Sequence, residues 1–136
     1  MANLLSQFLP IFRKSEFTSV CEEPGYAILS LSPPEMNSSE VFCAIQKVAG
    51  LRLRGCKKVL LHDRAKNWKL DTASILSLIE NLRWFDVFDV KAALVSEDLQ
   101  RLSDLRFAET VGFNRGYEIQ AFNNLEVAKN WLLSED

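Results

Sequence analysis

Residues 57–74 constrain the fold of this chain more than any other stretch. Residues 59–61 are an unbroken apolar run, which is typical of a strand buried on both faces of a sheet. Asp71-Thr72-Ala73-Ser74 then opens a segment with apolar residues at helical spacing, namely Ile75, Leu78, Ile79, Leu82 and Phe85. The pattern predicts a strand, a loop and a helix, and α/β proteins usually keep their functional sites in such loops.

The residues before this unit predict a hairpin and a helix. Residues 17–21 and 26–31 are short β-prone runs, and Pro24-Gly25 between them is a strong turn signal. Asn37, with Glu40 three residues later, is a capping box that predicts a helix from about residue 38 to residue 53.

Two further strand and helix pairs follow the central unit. Residues 90–95 predict a buried strand, and Ser96 is the expected N-cap of a helix with an apolar face made of Leu99, Leu102, Leu105 and Val111. Residues 117–122 predict a last strand, and Asn123 with Glu126 predicts the capping box of a final helix.

This order of elements predicts one α/β domain over residues 1–136, with residues 1–14 as an N-terminal arm. At 136 residues the chain is long enough for one core. We expect a four- to five-stranded, mostly parallel sheet with an N-terminal antiparallel hairpin and about four helices covering it. Residues 59–61, 92–94 and 119–121 are expected to form central strands.

Composition excludes several classes of protein. The net charge of −2 argues against nucleic-acid binding, and no apolar run approaches the roughly 20 residues that span a bilayer. The three cysteines form no CxxC pair, and His62 is the only histidine, so we expect no disulfide framework, no metal site, no cofactor and no catalytic residue. The expected location is the cytoplasm.

Three segments carry a family resemblance: Val90-Lys91-Ala92-Ala93-Leu94-Val95, then Tyr117-Glu118-Ile119-Gln120-Ala121-Phe122, then the helix segment Asn124-Leu125-Glu126-Val127-Ala128-Lys129-Asn130-Trp131-Leu132. With them the chain resembles the STAS-type domains, the superfamily of bacterial anti-sigma-factor antagonists, and within it the SpoIIAA-like branch that is related in fold to CRAL-TRIO lipid-binding domains. The resemblance covers residues 17–134.

The resemblance also implies a phosphorylation site. In the antagonist branch a strand leads to an Asp-Ser-x-Gly motif, whose Ser is phosphorylated by a partner kinase. Asp71-Thr72-Ala73-Ser74 stands in that place, which puts Thr72 at the acceptor position and Ser74 in place of the family's Gly. Hydroxyl residues after Asp71 are also common for helix capping alone, so both interpretations stay open.

Positive charge is concentrated in residues 47–69. Eight cations stand there against a single acid, Asp63: Lys47, Arg52, Arg54, Lys57, Lys58, Arg64, Lys66 and Lys69. They are either solvated surface or a contact for an anionic partner. The candidate contact residues for a ligand or partner are Asp63, Arg64, Lys66, Trp68, Lys69, Asp71 and Ser74.

Leu76 and Trp84 are apolar residues off the main stripe of the central helix, and we consider them hydrophobic contact candidates. They could touch the N-terminal arm, a second subunit in a homodimer or a hydrophobic ligand.

The expected function is a non-enzymatic STAS-like module that binds a regulatory protein or a small anionic-apolar ligand. The alternative is a carrier or sensor of lipid-like hydrophobic molecules. An apolar pocket of a few hundred Å³ would favour the carrier, whereas a filled core with an exposed turn at residues 71–74 would favour protein regulation.

Overall fold

The computed structural model describes residues 16–134, so the predicted arm at residues 1–14 lies outside the described residues. The strands are β1 (Thr18–Glu23), β2 (Tyr26–Leu31), β3 (Glu35–Met36), β4 (Lys58–Asp63), β5 (Asn67–Trp68), β6 (Lys91–Val95) and β7 (Glu118–Phe122). The helices are α1 (Ser38–Leu53), α2 (Thr72–Glu80), α3 (Leu99–Asn114) and α4 (Leu125–Leu133), and a 3-10 turn at Asn81–Trp84 follows α2.

Five strands form the main sheet in the order β1-β2-β4-β6-β7. β1 and β2 pair antiparallel, and the other neighbours pair parallel, which confirms the predicted fold class. β7 lies at one edge, so the prediction of a central strand at residues 119–121 was wrong. The sequence could not indicate this position, because Ala121 and Phe122 are buried even though β7 has only one neighbouring strand.

The other two strands form a small parallel pair that the sequence did not predict. Glu35 pairs with Asn67 and Met36 pairs with Trp68, beyond the carboxyl ends of β2 and β4. Each of these strands has only two residues, which is too short for an alternating pattern to show. The pair joins the segment that follows β2 to the loop that follows β4.

The sheet separates two apolar layers. Side chains alternate along each strand, so Val59 faces α1, α2 and α3, whereas Leu60 faces α4. On the α4 face Leu60, Ala93 and Val95 pack with Ala128 and Leu132. The unbroken apolar run at residues 59–61 is therefore the sequence mark of a strand with a helix layer on each side.

The helix starts agree with the predictions at two positions and differ at two. Asn37 caps α1 by accepting from the Glu40 N–H at 3.0 Å, and Asp71 caps α2. Ser96 is not the N-cap of α3: its hydroxyl donates to Asp63 and accepts from the Asp98 N–H, and Asp98 caps the helix two residues later. The cap of α4 is Asn124 rather than Asn123.

The later start of α3, after Asp98 rather than Ser96, also affects the prediction for Leu99. The helix begins at Leu99, whose side chain is 71% exposed, so the prediction that it lies on the inner face was wrong. Leu102 and Val111 are buried as predicted.

Gly112 lets α3 lie close to β7. A Cβ at this position would lie 2.8 Å from Ile119 Cδ1, so only glycine fits without movement. By contrast, α2 makes its closest backbone approaches to α1, to α3 and to the 3-10 turn rather than to the sheet. Space is therefore left between α2 and the middle of the sheet.

Candidate functional site

An apolar cavity of about 170 Å³ occupies this space. Its floor is the central part of the sheet, and its walls come from α1, α2 and α3. The contributors from the sheet include Leu61, Ala92 and Leu94, and those from the helices include Ile45, Ile75, Leu78 and Ala108. Among the described residues that line it, Asp63 is the only charged one.

The floor of the cavity is unusual for the middle of a sheet. Leu61, Ala92 and Leu94 lie on the two strands nearest the centre, yet each is only partly buried. Their opposite neighbours along the same strands, Leu60 and Ala93, have no exposed surface. Leu61, Ala92 and Leu94 thus face the space that α1, α2 and α3 leave open, although Val59 on the same face is fully buried.

Asp63 is the last residue of β4. It lies at the end of the cavity nearest the carboxyl ends of the parallel strands, which we call the upper end. All the polar contacts of its carboxylate are within the protein. Ser96 Oγ donates to Oδ2 at 2.9 Å, and Arg101 Nη1 donates to the same oxygen at 3.1 Å. The Ala65 N–H donates to Oδ1 at 3.1 Å. The side chains of Asp63 and Arg101 are 7% and 14% exposed. The predicted contact residue Asp63 is therefore an internal ion-pair partner in this structure.

Arg101 also holds the loop after β4. Its Nη1 donates to the Ala65 carbonyl at 2.8 Å, and its Nη2 donates to the Lys66 carbonyl at 3.0 Å. Its guanidinium carbon lies 5.5 Å from the centre of the Trp68 ring. Trp68 in turn donates its Nε1–H to Asp104 at 2.8 Å. The loop and Trp68 are thus fixed against α3 and cover the upper end of the cavity.

Sequence reasoning missed Ser96, Arg101 and Asp104 as partners of this loop. Arg101 and Asp104 are three residues apart and so share one face of α3, which was the only local signal. Their partners are 36 to 38 residues away in the chain, so no local pattern joins them.

Six of the eight cations of residues 47–69 fall into two groups. Arg52 pairs with Asp86 and Asp89, Lys57 with Asp89, and Arg54 with Glu22, all acids outside the counted window. The second group lies on the loop: Arg64, Lys66 and Lys69 are exposed, and no carboxylate among residues 16–134 forms an ion pair with them.

Thr72 is exposed in the first turn of α2. Asp71, also exposed, caps this helix by accepting from the Ser74 N–H at 2.7 Å. This hydrogen bond from the Ser74 backbone lowers the pKa of the Asp71 carboxyl, and one from the Ser74 side chain adds to the effect. Asp71 and Ser74 thus complete the cap, and Thr72 is left facing solvent.

The other side chains considered from the sequence, those of His62, Trp84 and Leu76, do not line the cavity. His62 Nε2 lies 3.0 Å from Glu97 Oε1. Trp84 is partly buried, with the Arg83 guanidinium 5.1 Å from its ring centre, and Leu76 is 37% exposed on the outer side of α2. Over residues 16–134 no group of three His, Cys, Asp or Glu side chains is placed to hold a metal ion.

The fold and the cavity together define a three-layer α/β domain with an internal apolar site. No protein-family model matches the sequence, and a comparison with curated proteins finds no match. In the part of the chain that the structure describes, no helix has the length and apolar character needed to cross a membrane.

Proposed function

We propose that this protein is a non-enzymatic cytoplasmic binding module that holds a small uncharged apolar molecule in the cavity beneath α2. This is a narrower form of the carrier or sensor alternative, because the cavity of about 170 Å³ is smaller than the few hundred Å³ expected for a lipid-like ligand. The observation that carries the proposal is the apolar cavity of about 170 Å³ between α2 and the sheet.

The energetic argument is that an empty cavity of this size is expensive. Cavities in protein cores cost about 24 cal/mol per Å³, so this one costs roughly 4 kcal/mol. Domains have a total stability of about 5 to 15 kcal/mol, and few contain voids larger than a water molecule. A ligand that fills the cavity would recover much of that free energy.

Size and charge limit the class of ligand. An apolar cavity of about 150 Å³ is large enough for benzene, whereas sites for drug-sized molecules take about 300 to 1,000 Å³. The lining offers no free charged group, because the carboxylate of Asp63 is already saturated. The proposal is therefore a molecule of the size of one aromatic ring rather than a long-chain lipid.

The test is binding of fluorobenzene, followed by ¹⁹F NMR and by the shift in Tm, with palmitate as the comparison. We expect fluorobenzene to bind at one saturable site and to raise Tm, since a ligand that binds only the folded state stabilises it. Palmitate is expected not to bind.

The matched control is Ala108→Leu, which adds three carbon atoms inside the cavity. This variant should stay folded and lose fluorobenzene binding. If neither probe binds the parent protein, the proposal is wrong. If palmitate binds and fluorobenzene does not, the protein is instead a carrier of long-chain lipids.

A second candidate function is the STAS-like phosphorylation switch at Thr72, and it is favoured by the exposure of Thr72 in the first turn of α2. A phosphate there would be stabilised by the helix N-terminus and would add about two negative charges. The loop before α2 carries the unpaired cations Arg64, Lys66 and Lys69, and these would contact an acidic partner protein.

Phosphopeptide analysis of the protein from its native cell, across growth phases, tests this second candidate. The switch requires phosphate on Thr72, and the exposed Ser77 of the same helix is the internal comparison. A triple variant with reversed charges at Arg64, Lys66 and Lys69 tests the loop in pull-downs at low salt. If it recovers the same proteins as the parent, the loop is not part of the contact surface.

A further inference from the structure

Two aromatic rings lie at the lower end of the cavity, opposite the loop that Arg101 holds. Tyr117 immediately precedes β7, and Phe88 lies in the segment before β6. Their rings are stacked, with centroids 4.7 Å apart and planes 5° from parallel. Tyr117 is buried, whereas Phe88 is 54% exposed, so Phe88 covers Tyr117 from the solvent side.

Tyr117 separates the cavity from the surface. It lines the cavity, and it also lines an open groove of about 590 Å³ between α3, β7 and α4. Ile119 is shared by the two spaces in the same way. The wall between the internal cavity and the surface groove is thus one side chain thick at Tyr117.

The segment that carries Phe88 also forms part of the cavity. Val87 and Val90, on either side of Phe88, line it. Asp86 and Asp89 anchor this segment to Arg52, at 3.3 and 3.0 Å. Because the backbone is held on both sides of Phe88, the ring can turn away by side-chain rotation while the segment stays in place.

The two ends of the cavity therefore differ in how firmly they are closed. The upper end is held by the buried ion pair between Asp63 and Arg101 and by the hydrogen bond from Trp68 to Asp104. The lower end is closed by apolar packing around Tyr117 and by the stacking of Phe88 on its ring, without a buried ion pair there among the described residues. Opening the upper end would leave buried charges without partners, which is far more costly than separating two rings.

We infer that Phe88 and Tyr117 form the portal through which a ring-sized apolar molecule enters and leaves the cavity. The inference rests on the proposed function, since it concerns access to the same site. Rotation of Phe88 frees the Tyr117 ring to move toward the groove. Phe88 itself does not line the cavity, so its role is in the rate of exchange and not in affinity.

The test measures fluorobenzene exchange by ¹⁹F NMR line-shape analysis in the parent and in Phe88→Ala. We expect the association and dissociation rates of Phe88→Ala to rise together, about three- to tenfold, because the variant lacks the aromatic pair. Its Kd should stay within about twofold of the parent value.

A control variant separates this portal from other routes. Phe113→Ala removes an exposed ring from the wall of the same groove without touching the stacked pair, and it should leave exchange unchanged. Parent-like exchange in Phe88→Ala, or equal acceleration in Phe113→Ala, overturns the portal while the site itself stands. Absence of fluorobenzene binding to the parent overturns both proposals.

Discussion

Arg101 on α3 and Asp63 at the end of β4 are 38 residues apart in the chain and form a nearly buried ion pair, with Nη1 3.1 Å from Oδ2. The same arginine donates to the carbonyls of Ala65 and Lys66, so one side chain fixes both the end of a strand and the loop that follows it. The loop after β4 is therefore a rigid part of the fold.

Arg101→Met should lower the free energy of unfolding by about 3 to 5 kcal/mol, because it leaves the Asp63 carboxylate buried without its charge partner. Urea unfolding measures this loss. The matched control is Arg54→Met, which breaks the exposed pair with Glu22 and should cost no more than about 1 kcal/mol. Equal losses in the two variants would show that the buried pair is not a main support of the loop.

Leu60→Asp should prevent folding, because Leu60 has no exposed surface and an unpaired buried carboxylate costs several kcal/mol. The measurement is the thermal melt followed by circular dichroism. Leu53→Asp is the control, since Leu53 is 80% exposed and the same change there should leave Tm nearly unaltered. A cooperative melt of Leu60→Asp near the parent Tm would show that β4 is not part of the core.

Lys91→Met should loosen the end of α4. Lys91 is buried on β6, and its Nζ donates to the carbonyl of Trp131 at 2.7 Å and to that of Ser134 at 3.2 Å. Hydrogen bonds from a charged donor contribute about 1.5 to 3 kcal/mol, so we expect a loss of about 2 to 3 kcal/mol. Amide hydrogen exchange in the last turn of α4 should accelerate more than in Lys129→Met, whose lysine pairs with Glu126 near the surface.

Asp89→Asn should make stability less dependent on acid pH. Hydrogen bonds from Arg52, and then from Lys57, lower the pKa of Asp89 to about 2, against about 3.9 in an unfolded chain. A lowered pKa stabilises the folded protein above pH 4, and this stabilisation is lost as the pH falls toward 2. Urea unfolding between pH 2 and 6 measures the free energy of unfolding of the parent and of Asp89→Asn. The parent should be more stable by a constant amount above pH 4, and this difference should vanish near pH 2. An advantage that is constant over this range would contradict the assignment.

Ala108→Leu and Ala128→Leu should have opposite effects on stability, although both alanines are buried on helices. The side chain of Ala108 faces the cavity, and filling it should raise the free energy of unfolding by about 0.5 to 2 kcal/mol. Ala128 packs in the filled layer under α4, where the larger side chain should cost about 1 to 3 kcal/mol. Chemical denaturation of both variants provides the comparison.

The sequence was sufficient for the architecture because the decisive signals were local. The Pro24-Gly25 turn, the cap at Asn37 and the apolar run at residues 59–61 each depend on neighbours in the chain, and the structure agrees with all three. The errors at Ser96 and Asn123 are of two residues and of one, and the Ser96 hydroxyl bonds both the distant carboxylate of Asp63 and the N–H of Asp98, which is the actual cap.

The candidate site was much less accessible to such reasoning. A cavity is an absence of side chains, and Leu61, Ala92 and Leu94 have the same apolar character whether or not another residue packs on them. The stacking of Phe88 on Tyr117 joins residues 29 positions apart, and no periodicity marks it. Thr72 could be placed at the start of a helix from the sequence, because Asp71 before it is a local capping signal.

Glu109 accepts the outward N–H of Ala121 at 2.8 Å, and this contact bears on how the protein behaves at high concentration. An open sheet edge is a template for the strand of another molecule, and joining one edge to a different edge produces filaments without an end. A carboxylate held against the β7 edge removes a donor from that template and adds a charge that an incoming strand would have to desolvate. The domain thus carries its own protection against fibrous self-assembly along the sheet.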